Sequence, residues 1–115
     1  MSKVSEILFP LDPSIRYVAV NRGGRIVEME QNTRFPMVSP AETDRMEELL
    51  VNPTILDIAR RRGEMDLGGV VFVIIRYDAI YGLLLPYREG HVSVGIEPGA
   101  DIQAVADKCI DALRR

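Results

Sequence analysis

The sequence predicts an α+β fold: one five-stranded, mainly antiparallel sheet of strand order 2-1-5-4-3, with helices on both faces. Three observations carry this. From Gly68 to Ile96, three short apolar runs are parted by Asp78-Ala79 and Arg88-Glu89-Gly90, the pattern of a three-stranded meander. Ahead of it, the runs Ile15–Val20 and Arg25–Gln31 flank Asn21-Arg22-Gly23-Gly24, a hairpin signal because glycine accepts positive φ. Around and between these strands lie segments with helical apolar spacing, which gives the order α-β-β-α-β-β-β-α.

Each element follows from its residues. Val4, Ile7 and Leu8, with Leu11 one turn on, share a helical face, and Pro10 and Pro13 stop that helix early. The first strand, Ile15–Val20, is apolar on both faces, whereas Arg25, Glu28 and Glu30 make the returning strand a charged, guarded edge. Gln31 to Val38 has no period and reads as a loop. Ser39-Pro40-Ala41-Glu42 then opens a helix: Ser39 caps, Pro40 takes the first helical position and Glu42 is the reciprocal partner. Met46, Leu49 and Leu50 form its expected inward stripe. Pro53 is expected to kink or divide it, with Asn52 or Thr54 recapping a second part that carries Ile55, Ile58 and Ala59. Arg60-Arg61-Arg62 is expected in the last turn, with Gly63 as terminator. After Glu97-Pro98-Gly99, the last helix runs from about Ala100 to Leu113. Ile102, Val105, Ala106, Cys109 and Leu113 form its inward stripe, and Asp101 lies at its start.

In the meander, Val70, Phe72 and Ile74 point one way, and Val71, Val73 and Ile75 the other, so neither face of the third strand suits water. The expected strand order makes this strand, Val70 to Arg76, an edge with no charge before Arg76, no proline and no bulge. An edge of that kind invites pairing with another chain. Val71, Val73, Ile75 and Arg76, with Met46 and Leu50 of the neighbouring helix, are therefore the expected interface of a dimer.

Composition narrows the function. The chain has 115 residues, a size suited to one domain over residues 1–115, and 47% hydrophobic content, enough for a core. The net charge of −3 and pI near 5.1 argue against a phosphate-backbone binder, so no nucleic-acid partner is expected. All but Lys3 and Lys108 of its 14 basic residues are Arg. No apolar run is long enough to cross a bilayer, and Met1-Ser2-Lys3-Val4 opens no secretory signal, so a cytoplasmic protein without a membrane partner is expected. The single cysteine, Cys109, excludes an intrachain disulfide and reads as an inert core residue.

No catalytic signature emerges. His91 and Ser93 share a strand face, but no third group is evident to orient them. One His and one Cys offer no metal spacing, and the glycine turn joins two strands where phosphate loops open a helix, so no metal and no cofactor are expected. Tyr17, Tyr77, Tyr81 and Tyr87 are expected to pack with their hydroxyls in water. Arg60, Arg61 and Arg62 could contact an anion or an acidic partner, against the simpler reading of dipole complementation at a helix end.

The element order is shared by roadblock-like domains and, more loosely, by profilin-like and PAS-like folds. Asp12-Pro13-Ser14-Ile15-Arg16-Tyr17, Gly24-Arg25-Ile26-Val27, Leu67-Gly68, Arg76-Tyr77, Leu85-Pro86 and Val92-Ser93-Val94 before Glu97-Pro98 resemble a family of small archaeal roadblock-like proteins. The resemblance implies a non-enzymatic dimer, a homodimer or heterodimer whose sheets join, scaffolding or regulating a small Ras-like GTPase. The alternative from the same architecture is a PAS-like or profilin-like sensor with a small-ligand pocket between sheet and helices.

Overall fold

A computed structural model describes residues 3–35 and 41–115. The hairpin and the meander close into one five-stranded sheet of order β2-β1-β5-β4-β3, in which every neighbouring pair is antiparallel. The strands are β1 (Ile15–Arg22), β2 (Arg25–Gln31), β3 (Val73–Arg76), β4 (Tyr81–Tyr87) and β5 (Gly90–Ile96). Helices α1 (Val4–Leu8), α2 (Ala41–Met46), α3 (Asn52–Asp66) and α4 (Ile102–Leu113) cover it, with a 3₁₀ turn at Phe9–Leu11 and a π-turn at Glu47–Val51 that joins α2 to α3. The expected cap at Ser39 and Pro40 lies outside the described residues.

One sheet face holds the apolar core. Val18 and Val20 of β1, Leu83 and Leu85 of β4, and Val92, Val94 and Ile96 of β5 pack against Val4 and Leu8 of α1 and Val105, Ala106 and Cys109 of α4. Burying a Leu or Val side chain of this kind stabilises by roughly 1.5–3 kcal/mol. The expected stripe of α4 is thus correct, and Asp101 caps the helix by accepting from the Ala104 N–H at 3.2 Å. Helix α1 is held by a cross-strand device. The Glu28 carboxylate of β2 accepts from the Val4 and Ser5 N–H groups at 2.8 and 3.1 Å, so a charge expected only to guard an edge also caps a helix.

Strand β1 runs two residues further than expected, to Arg22, which leaves Gly23 (φ 60°) and Gly24 (φ 80°) as the turn. Strand β3 is shorter than expected: Val70 to Phe72 are not in the ladder. Continuing the register Val73 opposite Leu84 would set Val71 against Pro86, which has no N–H to donate. The ladder stops there.

The long helical segment departs most from expectation. The segment is divided next to Pro53, as expected, but by a π-turn and without a side-chain cap on the second part. The Asn52 N–H donates to the Glu47 carbonyl across the π-turn, and Pro53 lies at the start of α3, where its missing N–H costs least. Asn52 is helical and its side chain turns inward, while the Thr54 hydroxyl donates back to the Leu50 carbonyl at 2.6 Å, so neither recaps. Nor does Gly63 end the helix, which continues to Asp66. Gly63 is buried because a Cβ there would stand 2.1 Å from the Gly68 carbonyl oxygen. Gly68, with φ 88°, is the terminator, and its N–H returns to the Gly63 carbonyl at 2.8 Å.

Candidate interaction site

The second sheet face is built differently. Tyr17 and Asn21 of β1 and His91 and Ser93 of β5 are buried polar residues that point at the helical segment. A regular α-helix would place Met46, Leu49 and Leu50 over this face, the inward stripe expected from sequence. In the structure this stripe faces outward instead. Met46 is 58% exposed, Leu50 60%, and Leu49 is also exposed.

Glu48 and Asn52 point inward in their place. Glu48, fully buried, accepts from the Tyr17 hydroxyl at 3.1 Å through Oε2 and from Asn52 Nδ2 at 3.1 Å through Oε1. The same Oε1 lies 2.8 Å from His91 Nε2. The Glu48 main-chain carbonyl accepts from Asn21 Nδ2 at 2.9 Å, and Asn52 Nδ2 also reaches Ser93 Oγ at 3.4 Å. A buried carboxylate without such donors would be prohibitively costly; with them it fixes the helix on the sheet. The orienting group missing from the His91/Ser93 pair is therefore Glu48. The signal in the sequence was weak: a polar alternation of His91 and Ser93 on one strand, with Tyr17 and Asn21 on another.

Burial and the neighbouring Glu48 and Asp44 push the Glu47 carboxyl up to about 7. Burial, and the Glu48 carboxylate beside it, hold the Tyr17 hydroxyl protonated, well above its ordinary value. The expectation of a water-exposed hydroxyl fails for Tyr17. The other expected tyrosines stay nearer the surface, and Tyr81 and Tyr87 carry Arg76 and Arg88 over their rings at 5.1 and 5.0 Å. Burial pushes the Cys109 thiol up to about 12, as suits an inert core cysteine.

The expected interface residues lie in two places, the helical segment and the β3 edge. Met46 and Leu50 are open to solvent on the helical segment, and Ile58, Met65 and Leu67 add further exposed apolar surface toward its end. Val71, 55% exposed, precedes the β3 edge, along which Val73 and Ile75 are half-buried and Arg76 exposed. Arg60, Arg61 and Arg62 are not in the last turn. They lie one turn earlier and bind carboxylates of their own helix: Arg60 to Asp57 and Glu64, Arg61 to Asp57, and Arg62 to Asp66. Their charge is largely met within the helix, so dipole complementation is not their role.

Among the described residues, no group of His, Cys, Asp and Glu is placed to hold a metal, and no helix is long and apolar enough to cross a membrane. No family model matches the chain, and a search of curated proteins finds no match. Solved structures do match. A Roadblock/LC7 domain from Streptomyces avermitilis superposes with a TM-score of 0.70 at 16% identity, covering 98% of this chain and 93% of that one. MglB in a tetrameric arrangement gives 0.63 at 11% identity, covering 96% and 88%. The gliding protein MglB from Thermus thermophilus gives 0.63 at 10% identity, with the same coverage. At such identities the likeness concerns the fold, and the fold is the roadblock fold.

Proposed function

We propose that residues 1–115 form one roadblock-like domain that acts without catalysis in the cytoplasm, as a homodimeric interaction module that regulates or scaffolds a protein partner. The observations that support this are an apolar helical surface turned outward and an unpaired strand edge at β3. Met46 and Leu50 lie open on the helix, and Val71, Val73, Ile75 and Arg76 follow the free side of β3. A second copy laid against this edge would pair its strand hydrogen bonds and cover the exposed side chains in one step. The tetrameric arrangement of MglB, which shares this fold, supports self-assembly as a use of it. A small Ras-like GTPase is the partner implied by the resemblance. Arg60, Arg61 and Arg62 are the proposed contact for an acidic surface on it, each exchanging its helical carboxylate for one on the partner.

Size-exclusion chromatography with light scattering tests the dimer. The wild type is expected at twice the chain mass at micromolar concentration, and Leu50→Glu at the monomer mass with its circular dichroism spectrum retained, because Leu50 is exposed in the single chain. A monomeric wild type would overturn the reading. For the partner, retention of a Ras-like GTPase by immobilised protein, weakened by Arg61→Glu, is the expected outcome.

A further inference from the structure

A cleft of about 540 Å³ opens on the flank of α3, within the usual range for small-molecule sites. Leu49, Pro53 and Leu56 form its helical wall, and Val70 and Pro86 face them from the sheet side. At its end lies His91, a residue only 2% exposed, whose Nε2 is fixed 2.8 Å from the buried Glu48 carboxylate. The second ring nitrogen, Nδ1, has no hydrogen-bond partner among the described residues. Since no fully buried side-chain nitrogen or oxygen among them lacks a partner, Nδ1 is not sealed in, and the cleft is where His91 meets open space. With the ring neutral, the acceptor-only carboxylate takes the proton on Nε2, and Nδ1 is left as an acceptor on the cleft side.

The other polar groups around the cleft are mostly acceptors too. Asn21 spends its Nδ2 on the Glu48 carbonyl at 2.9 Å, leaving its side-chain oxygen. Arg60 is held by Asp57 at 2.6 Å and Glu64 at 2.9 Å, and with the Glu89 carboxylate at the rim the carboxylates near the cleft outnumber this one cation. Gly90 keeps this end tight, because a Cβ there would meet the Asn21 carbonyl oxygen at 1.8 Å; the two hairpin tips are joined by the Gly23 N–H to the Glu89 carbonyl at 3.0 Å.

We infer that the cleft between α3 and the β4–β5 hairpin binds a small, flat, apolar ligand that carries an N–H donor and a neutral or positive charge, with His91 Nδ1 as acceptor. The apolar walls take the ring, the imidazole fixes its orientation, and the acceptor-rich rim selects against anions. The cleft adjoins the proposed dimer residues through Val70 and Leu49 but does not include Met46, Leu50 or the β3 ladder, and a ligand in it touches the helical segment where that segment meets the sheet.

Because His91 is the one histidine of the chain, its ring nitrogens are read without ambiguity by ¹⁵N NMR of the full chain. Tryptamine is the probe and indole-3-acetate the comparison with the same ring and opposite charge. Tryptamine is expected to shift the His91 Nδ1 resonance at least about tenfold more tightly than indole-3-acetate, a difference of about 1.4 kcal/mol. Leu56→Trp, which fills the cleft from the helical wall, is expected to abolish the shift; should it fail to fold, Val70→Trp fills it from the opposite wall. Leu50→Glu is expected to leave binding intact, which separates this site from the dimer reading. A His91 resonance unmoved by tryptamine, equal or tighter binding of indole-3-acetate, binding that survives a folded cleft-filled variant, or its loss in Leu50→Glu would each overturn the proposal.

Discussion

The two faces of the sheet solve the same problem in opposite ways. Toward α1 and α4, valines and leucines of the strands meet an apolar helix stripe, and the contact is non-directional packing. Toward α2 and α3, the sheet presents Tyr17, Asn21, His91 and Ser93, and the helix answers with Glu48 and Asn52 while its own leucines face outward. The first face is insensitive to the rotation of its helix within the tolerance of side-chain packing. The second specifies that rotation, since only one orientation of the helical segment satisfies the carboxylate. A helix locked in that way can display an apolar surface to a partner without collapsing onto its own sheet.

This difference can be broken most severely at Glu48. Glu48→Ala leaves Tyr17, Asn52 and His91 without their shared acceptor, and a loss of about 3–5 kcal/mol in urea unfolding is expected. Because the helix then loses what fixes its rotation, hydrogen exchange should accelerate across α2 and α3 and stay slow in α4. Uniform acceleration would show that the two faces are not independent. On the apolar face, Leu83→Ala is expected to cost a comparable or slightly smaller amount, about 2–4 kcal/mol, with exchange raised around α4 and little changed across α3.

A third test uses pH. The folded Glu47 carboxyl titrates near 7 against an ordinary value of 4.5, so between those values the folded chain holds a proton that the unfolded chain has released. Stability is therefore fully present below about 4.5 and falls as pH rises through 7, by on the order of 1–2 kcal/mol once solvent screening of this partly exposed carboxyl is allowed for. Denaturant unfolding at pH 4.5 and 8 measures this, and Glu47→Gln should flatten the slope. The smallest effect belongs to Cys109. Buried on the apolar face with its thiol pushed up to about 12, it should resist a disulfide reagent at pH 8 until the chain unfolds.

How far the sequence is legible follows the same division. The hairpin at Gly23-Gly24, the meander, the strand order and the stripe of α4 follow from turn chemistry and periodicity, because each depends on neighbours close along the chain or on a regular repeat. The end of β3 at Val73 was written in Pro86, but only the register sets Val71 opposite that proline. Likewise, Gly63 looks like a helix terminator until the chain brings Gly68 back against it.

By itself, then, the amino-acid sequence determined the α+β order, the antiparallel sheet and the free apolar edge, since local propensity and two-residue or 3.6-residue periods encode them. Tertiary structure alone decided which way Met46, Leu49 and Leu50 face. Their spacing suits an inward stripe, yet it is Glu48 that turns inward and collects donors from β1, β5 and its own helix. Those donors are up to 43 residues away along the chain, and no local pattern records that they converge. The physical reason is that a buried carboxylate outweighs helical periodicity: leaving it unpaired costs several kcal/mol, whereas rotating leucines into water costs less, and a partner can recover that loss.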